Sequence, residues 1–106
     1  MESPITSSHF DDANGNPAGG TTYGRGFAIG WQNGPLGRDE NREEPNGAFV
    51  EDVIKAALDR LEYYQRSKFA CDHNARAVDG LTAALTALNE RTANRESRAV
   101  EGTHAV

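Results

Sequence analysis

This chain of 106 residues predicts an α+β fold: an antiparallel two-helix hairpin with a short β element, assembled as an oligomer. Three observations predict it. Nine of the eleven glycines and all four prolines lie within the first 47 residues, so turns punctuate the first half and the second half is free to run as helix. Within the first half, Phe27, Ile29 and Trp31 alternate with other residues at period two, which is the pattern of a half-buried strand. Within the second half, two apolar stripes at three- and four-residue steps are separated by only a few residues, which implies antiparallel helices.

Taken in order, residues 1–24 hold Ser, Thr, Asn, Asp, Gly and Pro with isolated apolar residues such as Ile5 and Phe10. Such a stretch buries too little to offset its ordering entropy, and it reads as a flexible N-terminal arm ahead of a single domain at 25–106. The strand spans about residues 26–32, and Asn33-Gly34 then supplies a turn, since both tolerate positive φ. Residues 38–46 carry two positive and four negative charges and read as a solvated loop. The first helix starts near Asn46-Gly47 with Asn46 as its N-cap, and Glu51 and Asp52 suit the positive end of its dipole. Val50, Val53, Ile54, Ala57, Leu58 and Leu61, with Tyr64 or Gln65, make its stripe, and it stops around Gln65-Arg66-Ser67. The second helix runs from about Lys68 to Arg95 with Cys71, Asn74, Ala77/Val78, Leu81, Ala84/Leu85 and Leu88 on one side. Gly80 costs it about 1 kcal/mol against Ala and permits close packing. The tail offers a second strand near 99–104 to pair with the first.

Composition excludes several functions. No run approaches the roughly 18–20 apolar residues that cross a bilayer, so no membrane partner is expected. Met1-Glu2-Ser3-Pro4 has neither a basic region nor an apolar stretch and reads as no signal peptide. One cysteine, Cys71, forbids an internal disulfide and argues against structural zinc; it reads as a buried small hydrophobe in a reducing cytoplasm. A net charge of −5 argues against a nucleic-acid polymer, while leaving room for a small anion held by a few arginines. Roughly 80 residues beyond the arm form a marginal core alone, and oligomerisation is the expected supplement.

Some residues break their own pattern. Asn74 sits where the spacing asks for an apolar residue, and a buried Asn is costly unless its amide is hydrogen-bonded. It is either a polar register-setter in a helix interface or a ligand contact. Past Leu88 the same step continues as Arg91, Arg95 and Arg98. These are either solvated charges at a frayed helix end or a site for phosphate or a nucleobase. Tyr63, Tyr64 and Phe69 cluster near the turn, where an aromatic outside the core is a stacking platform. Asn74 and Arg91 lie about 25 Å apart along one helix and cannot share a small ligand within one chain. In an antiparallel dimer of hairpins, Arg91 of one chain comes near the turn of the other, which makes the site intermolecular and doubles it. Catalytic constellations are absent: Asp72 and His73 do not face each other on a helix, Cys71 has no histidine fixed by spacing, and no phosphate-loop motif exists.

Gly26-Phe27-Ala28-Ile29-Gly30-Trp31-Gln32-Asn33-Gly34-Pro35-Leu36-Gly37-Arg38 and Pro45-Asn46-Gly47-Ala48-Phe49-Val50-Glu51-Asp52-Val53-Ile54 then align with a known pattern. It continues in Lys68-Phe69-Ala70-Cys71 with Asn74, and in Arg91-Thr92 through Arg95-Glu96 to Val100-Glu101-Gly102-Thr103-His104. Over about residues 26–104 the chain resembles the phage-encoded Thoeris anti-defence nucleotide sponges of the first type, kin of anti-CBASS sponges sharing a helical hairpin. One position departs: a glycine is expected after Arg98, and the chain has Ala99.

The resemblance implies sequestration without catalysis of a cyclic ADP-ribose isomer, and so a block of bacterial antiphage defence in the cytoplasm of the infected host. It implies a pocket between two chains, with Tyr64, Asn74 and Arg91 as contacts; Phe69, Arg95, Arg98 and Trp31 complete the expected ligand-binding residues. It implies a homodimer or a hexamer built as a trimer of dimers, and no cofactor or metal. Cyclic dinucleotides are a second ligand class, for which Arg25, Arg38 and Arg98 are candidates. Two other readings compete: a helical-hairpin adaptor that docks on a host protein, and an enzyme that degrades the signal. A stable oligomer that releases intact nucleotide separates the first reading from both.

Overall fold

The computed structural model describes residues 2–106. The fold is α+β, as expected, and divides into two compact units. One comprises the chain up to Phe49 together with Ala99–Val106; the other is Val50–Arg98. Among the described residues no helix is long and apolar enough to cross a membrane.

The first unit corrects the expected arm. Strand β1 (Thr6–Asp11) and strand β2 (Pro17–Gly24) precede β3 (Phe27–Asn33), and the three form an antiparallel sheet in the order β1-β2-β3. Thr6 pairs with Tyr23 and Tyr23 with Ala28; Ser7 pairs with Thr22 and Thr22 with Ile29. Polar side chains rather than apolar ones tie these strands. The Trp31 indole N–H donates to the Thr22 hydroxyl oxygen at 2.8 Å, and that hydroxyl lies 3.0 Å from the Ser7 hydroxyl. Asp12 organises the β1–β2 turn: one carboxylate oxygen accepts the Asn14 N–H at 2.8 Å and the Asn16 N–H at 3.0 Å. These bonds to the ionised form, above all the one from Asn16, hold the Asp12 carboxyl below its ordinary range. The expected strand over 26–32 is present.

The far edge of β3 is taken by Ala48, whose N–H donates to the Gly30 carbonyl at 2.7 Å and whose carbonyl accepts the Gln32 N–H at 3.0 Å. Asn46 therefore does not cap the first helix. Its side chain accepts the Asn33 N–H at 2.8 Å and donates to the Asn33 carbonyl at 3.0 Å.

No strand forms over 99–104, which is a second correction. Ala99 and Gly102 adopt φ of 57° and 78°, and such left-handed residues break an extended run. The tail instead meets the loop after β3. The Gly37 N–H donates to the Gly102 carbonyl at 2.8 Å, Arg38 Nη1 donates to the Glu101 carbonyl at 2.8 Å, and Arg42 Nη1 lies 2.7 Å from the Glu101 carboxylate. The loop read as solvated over 38–46 contains a single 3-10 turn, Asp39–Asn41.

The second unit is the expected hairpin of α1 (Val50–Gln65) and α2 (Asp72–Ser97). The half-buried positions follow the predicted stripes: Val53, Ile54, Leu58, Leu61 and Gln65 on α1, and Asn74, Val78, Leu81, Ala84, Leu85 and Leu88 on α2. Gly80 does not mediate close packing within the chain, because a Cβ there meets nothing within 4 Å. Among the described residues no hydrophobic side chain is buried; only Thr22 is, at 8% exposure.

Candidate functional site

The hairpin turn is built by one residue at the end of α1. Gln65 Nε2 donates to the Cys71 carbonyl at 3.1 Å, and Gln65 Oε1 accepts the Cys71 N–H at 3.1 Å. Cys71 is exposed, not buried as expected, and its role is local: extended at φ −159°, it caps α2 by accepting the Asn74 N–H on Sγ at 3.4 Å. Residues 66–71 thus connect the helices, and α2 begins later than the periodicity predicts.

Around this turn the structure gathers the aromatic and amide groups. Ser67 folds back onto the end of α1, its hydroxyl donating to the Tyr64 carbonyl at 2.6 Å. The Asn74 side-chain amide donates to the Phe69 carbonyl at 3.3 Å, so half the amide is engaged in holding the turn. Its oxygen accepts no hydrogen bond among the described residues and remains available as an acceptor. Phe69 is 68% exposed with the Lys68 ammonium 5.3 Å from its ring centroid. Tyr63 and Tyr64 are also exposed, their centroids 5.9 Å apart. Three exposed rings beside an amide present planar faces and a hydrogen-bonding edge, which is the chemistry that stacks and reads a nucleobase.

Sequence reasoning overlooked Arg60. Its guanidinium lies 4.8 Å from the Tyr63 ring centroid and 5.1 Å from that of Tyr64, and its Nε donates to the Tyr64 hydroxyl at 3.3 Å. That bond, and the neighbouring phenol, raise the guanidinium pKa further. The spacing of four residues was legible as a helix-surface pair. The Gln65 clamp was not, because it depends on a loop conformation that has no period.

The other expected residues lie elsewhere. Arg91 is exposed on α2, seventeen positions beyond Asn74 and so about 25 Å away along the helix. The inward step past Leu88 is Thr92 and then Arg95, both half-buried; Arg91 and Arg98 face outward, which corrects the reading that the inward stripe turns wholly into arginine. Thr92 takes its place there by donating its hydroxyl to the Leu88 carbonyl at 3.2 Å. Arg98 Nε donates to the Asn94 side-chain oxygen at 3.0 Å. Trp31 belongs to the sheet unit, where its indole N–H is committed to Thr22. Of the cationic candidates for a second ligand class, Arg38 is occupied by Glu101, while Arg25 is exposed.

Two comparisons bear on this geometry. A family model described as Acb2/Tad1, hairpin domain, matches residues 24–93, a stretch that contains β3, α1 and most of α2. Thoeris anti-defense 1 of Bacillus phage SBSphiJ7 is 43% identical over 81 residues, covering 76% of this chain and 54% of that protein. The chain therefore spans about half the length of this curated relative.

Proposed function

The chain belongs to the Acb2/Tad1 hairpin domain family, and on that premise we propose that it is a non-catalytic sponge for a cyclic nucleotide immune signal. The cargo is a cyclic ADP-ribose isomer, with cyclic dinucleotides as a second class, and its capture blocks bacterial antiphage defence of the Thoeris or CBASS kind inside the infected host. The relative's name, Thoeris anti-defense 1, supports the setting.

The observation that carries the reading is the hairpin turn itself. Exposed Tyr64 and Phe69 share this turn with Asn74, whose side-chain oxygen is an unused acceptor, so the turn offers a base both a stacking surface and an edge partner. The arginine expected as a contact, Arg91, lies far along α2 from this end. Arg91 reaches the turn only from another chain, because about 25 Å of helix separates it from Asn74 in its own. An antiparallel pairing of two hairpins brings the groups together and makes two equal sites. The absence of any fully buried hydrophobic side chain among the described residues supports such pairing, since it leaves the stripes of both helices to be covered by a second copy.

Binding of cyclic ADP-ribose isomers and cyclic dinucleotides, followed by calorimetry, tests the proposal. Nucleotide released on denaturation has the same mass as the nucleotide added. Released material of altered mass would mean an enzyme. Indifference of the wild-type protein to every one of these ligands overturns the sponge, and a monomer in native mass spectrometry favours a protein-binding adaptor.

A further inference from the structure

Arg60 sits over the rings of the aromatic platform, and no ion pair among the described residues takes its charge. Its Nε is committed to the Tyr64 hydroxyl at 3.3 Å, and its plane is braced by two rings at 4.8 and 5.1 Å. Its two terminal nitrogens take no carboxylate partner among the described residues. An exposed arginine on a helix ordinarily samples many rotamers, and fixing one costs entropy at the moment of binding. Here stacking and the hydroxyl bond have already restricted the side chain in the free protein, which reduces that cost. The terminal nitrogens of a guanidinium form a planar fork matched to two oxygens of one phosphate.

We propose that Arg60 is a further ligand-contacting residue of the Tyr64 site, where its guanidinium fork receives a phosphate of a nucleotide whose base stacks on the neighbouring ring. This rests on the nucleotide-binding reading above and deepens it in one respect. The ligand class is one that carries phosphate within a side-chain length of its base, and Arg60 of one chain acts beside Arg91 of the partner rather than in place of it. Tyr63 then has a role of its own, as the second wall that holds the guanidinium flat.

The test is calorimetric titration of the full chain with cyclic ADP-ribose at low and high salt, for the wild type, Arg60→Ala, Arg60→Lys and Tyr64→Phe. Helix content and oligomeric mass are checked in parallel, and exposure of the Arg60 side chain to solvent means both are expected to be unchanged. Arg60→Ala weakens binding by about ten- to a hundredfold, the range for a hydrogen bond to a charged group, and flattens the salt dependence because one phosphate contact is gone. Arg60→Lys keeps the charge and so keeps the salt dependence, while losing affinity with the fork. Tyr64→Phe removes the hydroxyl brace and leaves the salt dependence at its wild-type slope. A wild type that binds while Arg60→Ala binds equally well overturns the role of Arg60 and leaves the sponge standing. Weakened binding by Arg60→Ala with an unaltered salt slope also overturns it, since that outcome means Arg60 acts only by holding Tyr64. A wild type that binds no cyclic ADP-ribose overturns the site on which both readings rest.

Discussion

Thr22 shows how much a single hydroxyl holds in a chain this short of core. It is the one buried residue among those described, and its oxygen accepts the Trp31 indole N–H while contacting the Ser7 hydroxyl, so it ties three strands together. Thr22→Val keeps the shape and removes the acceptor. The indole N–H is then left without its partner in a half-buried place, and stability should fall by about 1–3 kcal/mol. Denaturant unfolding followed by fluorescence of the single tryptophan measures this, with Thr22→Ser as the variant that keeps the bond; an unshifted midpoint for Thr22→Val would show the bond carries no weight. Asp12 gives the same unit a pH dependence. Its folded pKa is lowered, first by the Asn16 N–H, so its contribution is fully present above the unfolded value near ~3.9 and is lost as pH falls through the lower folded one. Acid titration of the Asn14 and Asn16 amides should report this step, and Asp12→Ala should abolish it.

At the scale of elements, legibility followed from what kind of interaction defines each element. The helical hairpin was readable because its stripes are made of Leu, Val and Ile at fixed steps, from Val53 to Leu61 and from Val78 to Leu88. Asn74 was readable as an exception to those steps and Tyr64 as an aromatic at the end of the first stripe, and their placement at the turn follows. The strands β1 and β2 were not readable. Their stability lies in backbone pairing, in the Asp12 turn and in hydroxyl contacts, none of which leaves an apolar alternation in Thr6–Asp11 or Pro17–Gly24. The tail was misread for the opposite reason: Val100 and Thr103 suit a strand, but positive φ at Ala99 and Gly102 turns the chain back onto Gly37 and Arg42. Gly80 gives a prediction at this scale. It is exposed in mid-helix with open space where a Cβ would stand, so Gly80→Ala should gain about 1 kcal/mol of helix stability. Thermal unfolding followed by far-ultraviolet circular dichroism measures the gain. A loss, together with a fall in oligomeric mass, would place a second chain against that face.

For the whole molecule the deciding quantity is the distance between Asn74 and the expected arginine, not the identity of either. The sequence already placed them about 25 Å apart on one continuous helix, and α2 is continuous from Asp72 to Ser97. A site that uses both must take them from different chains, and that requirement has a consequence that single variants do not test. Asn74→Ala and Arg91→Ala should each abolish binding as pure proteins, because every site then lacks one group. Unfolding the two together and refolding them as a mixture lets the chains reassort. About half the dimers are then mixed, and each mixed dimer has one site with both groups and one with neither. Binding should therefore return to about one quarter of the wild-type site number, with wild-type affinity at the sites that return. Calorimetry separates number from affinity in one titration. A site contained within one chain predicts no recovery on mixing, and a ligand that needs only one of the two groups predicts binding by one of the pure variants; either result would exclude the shared site.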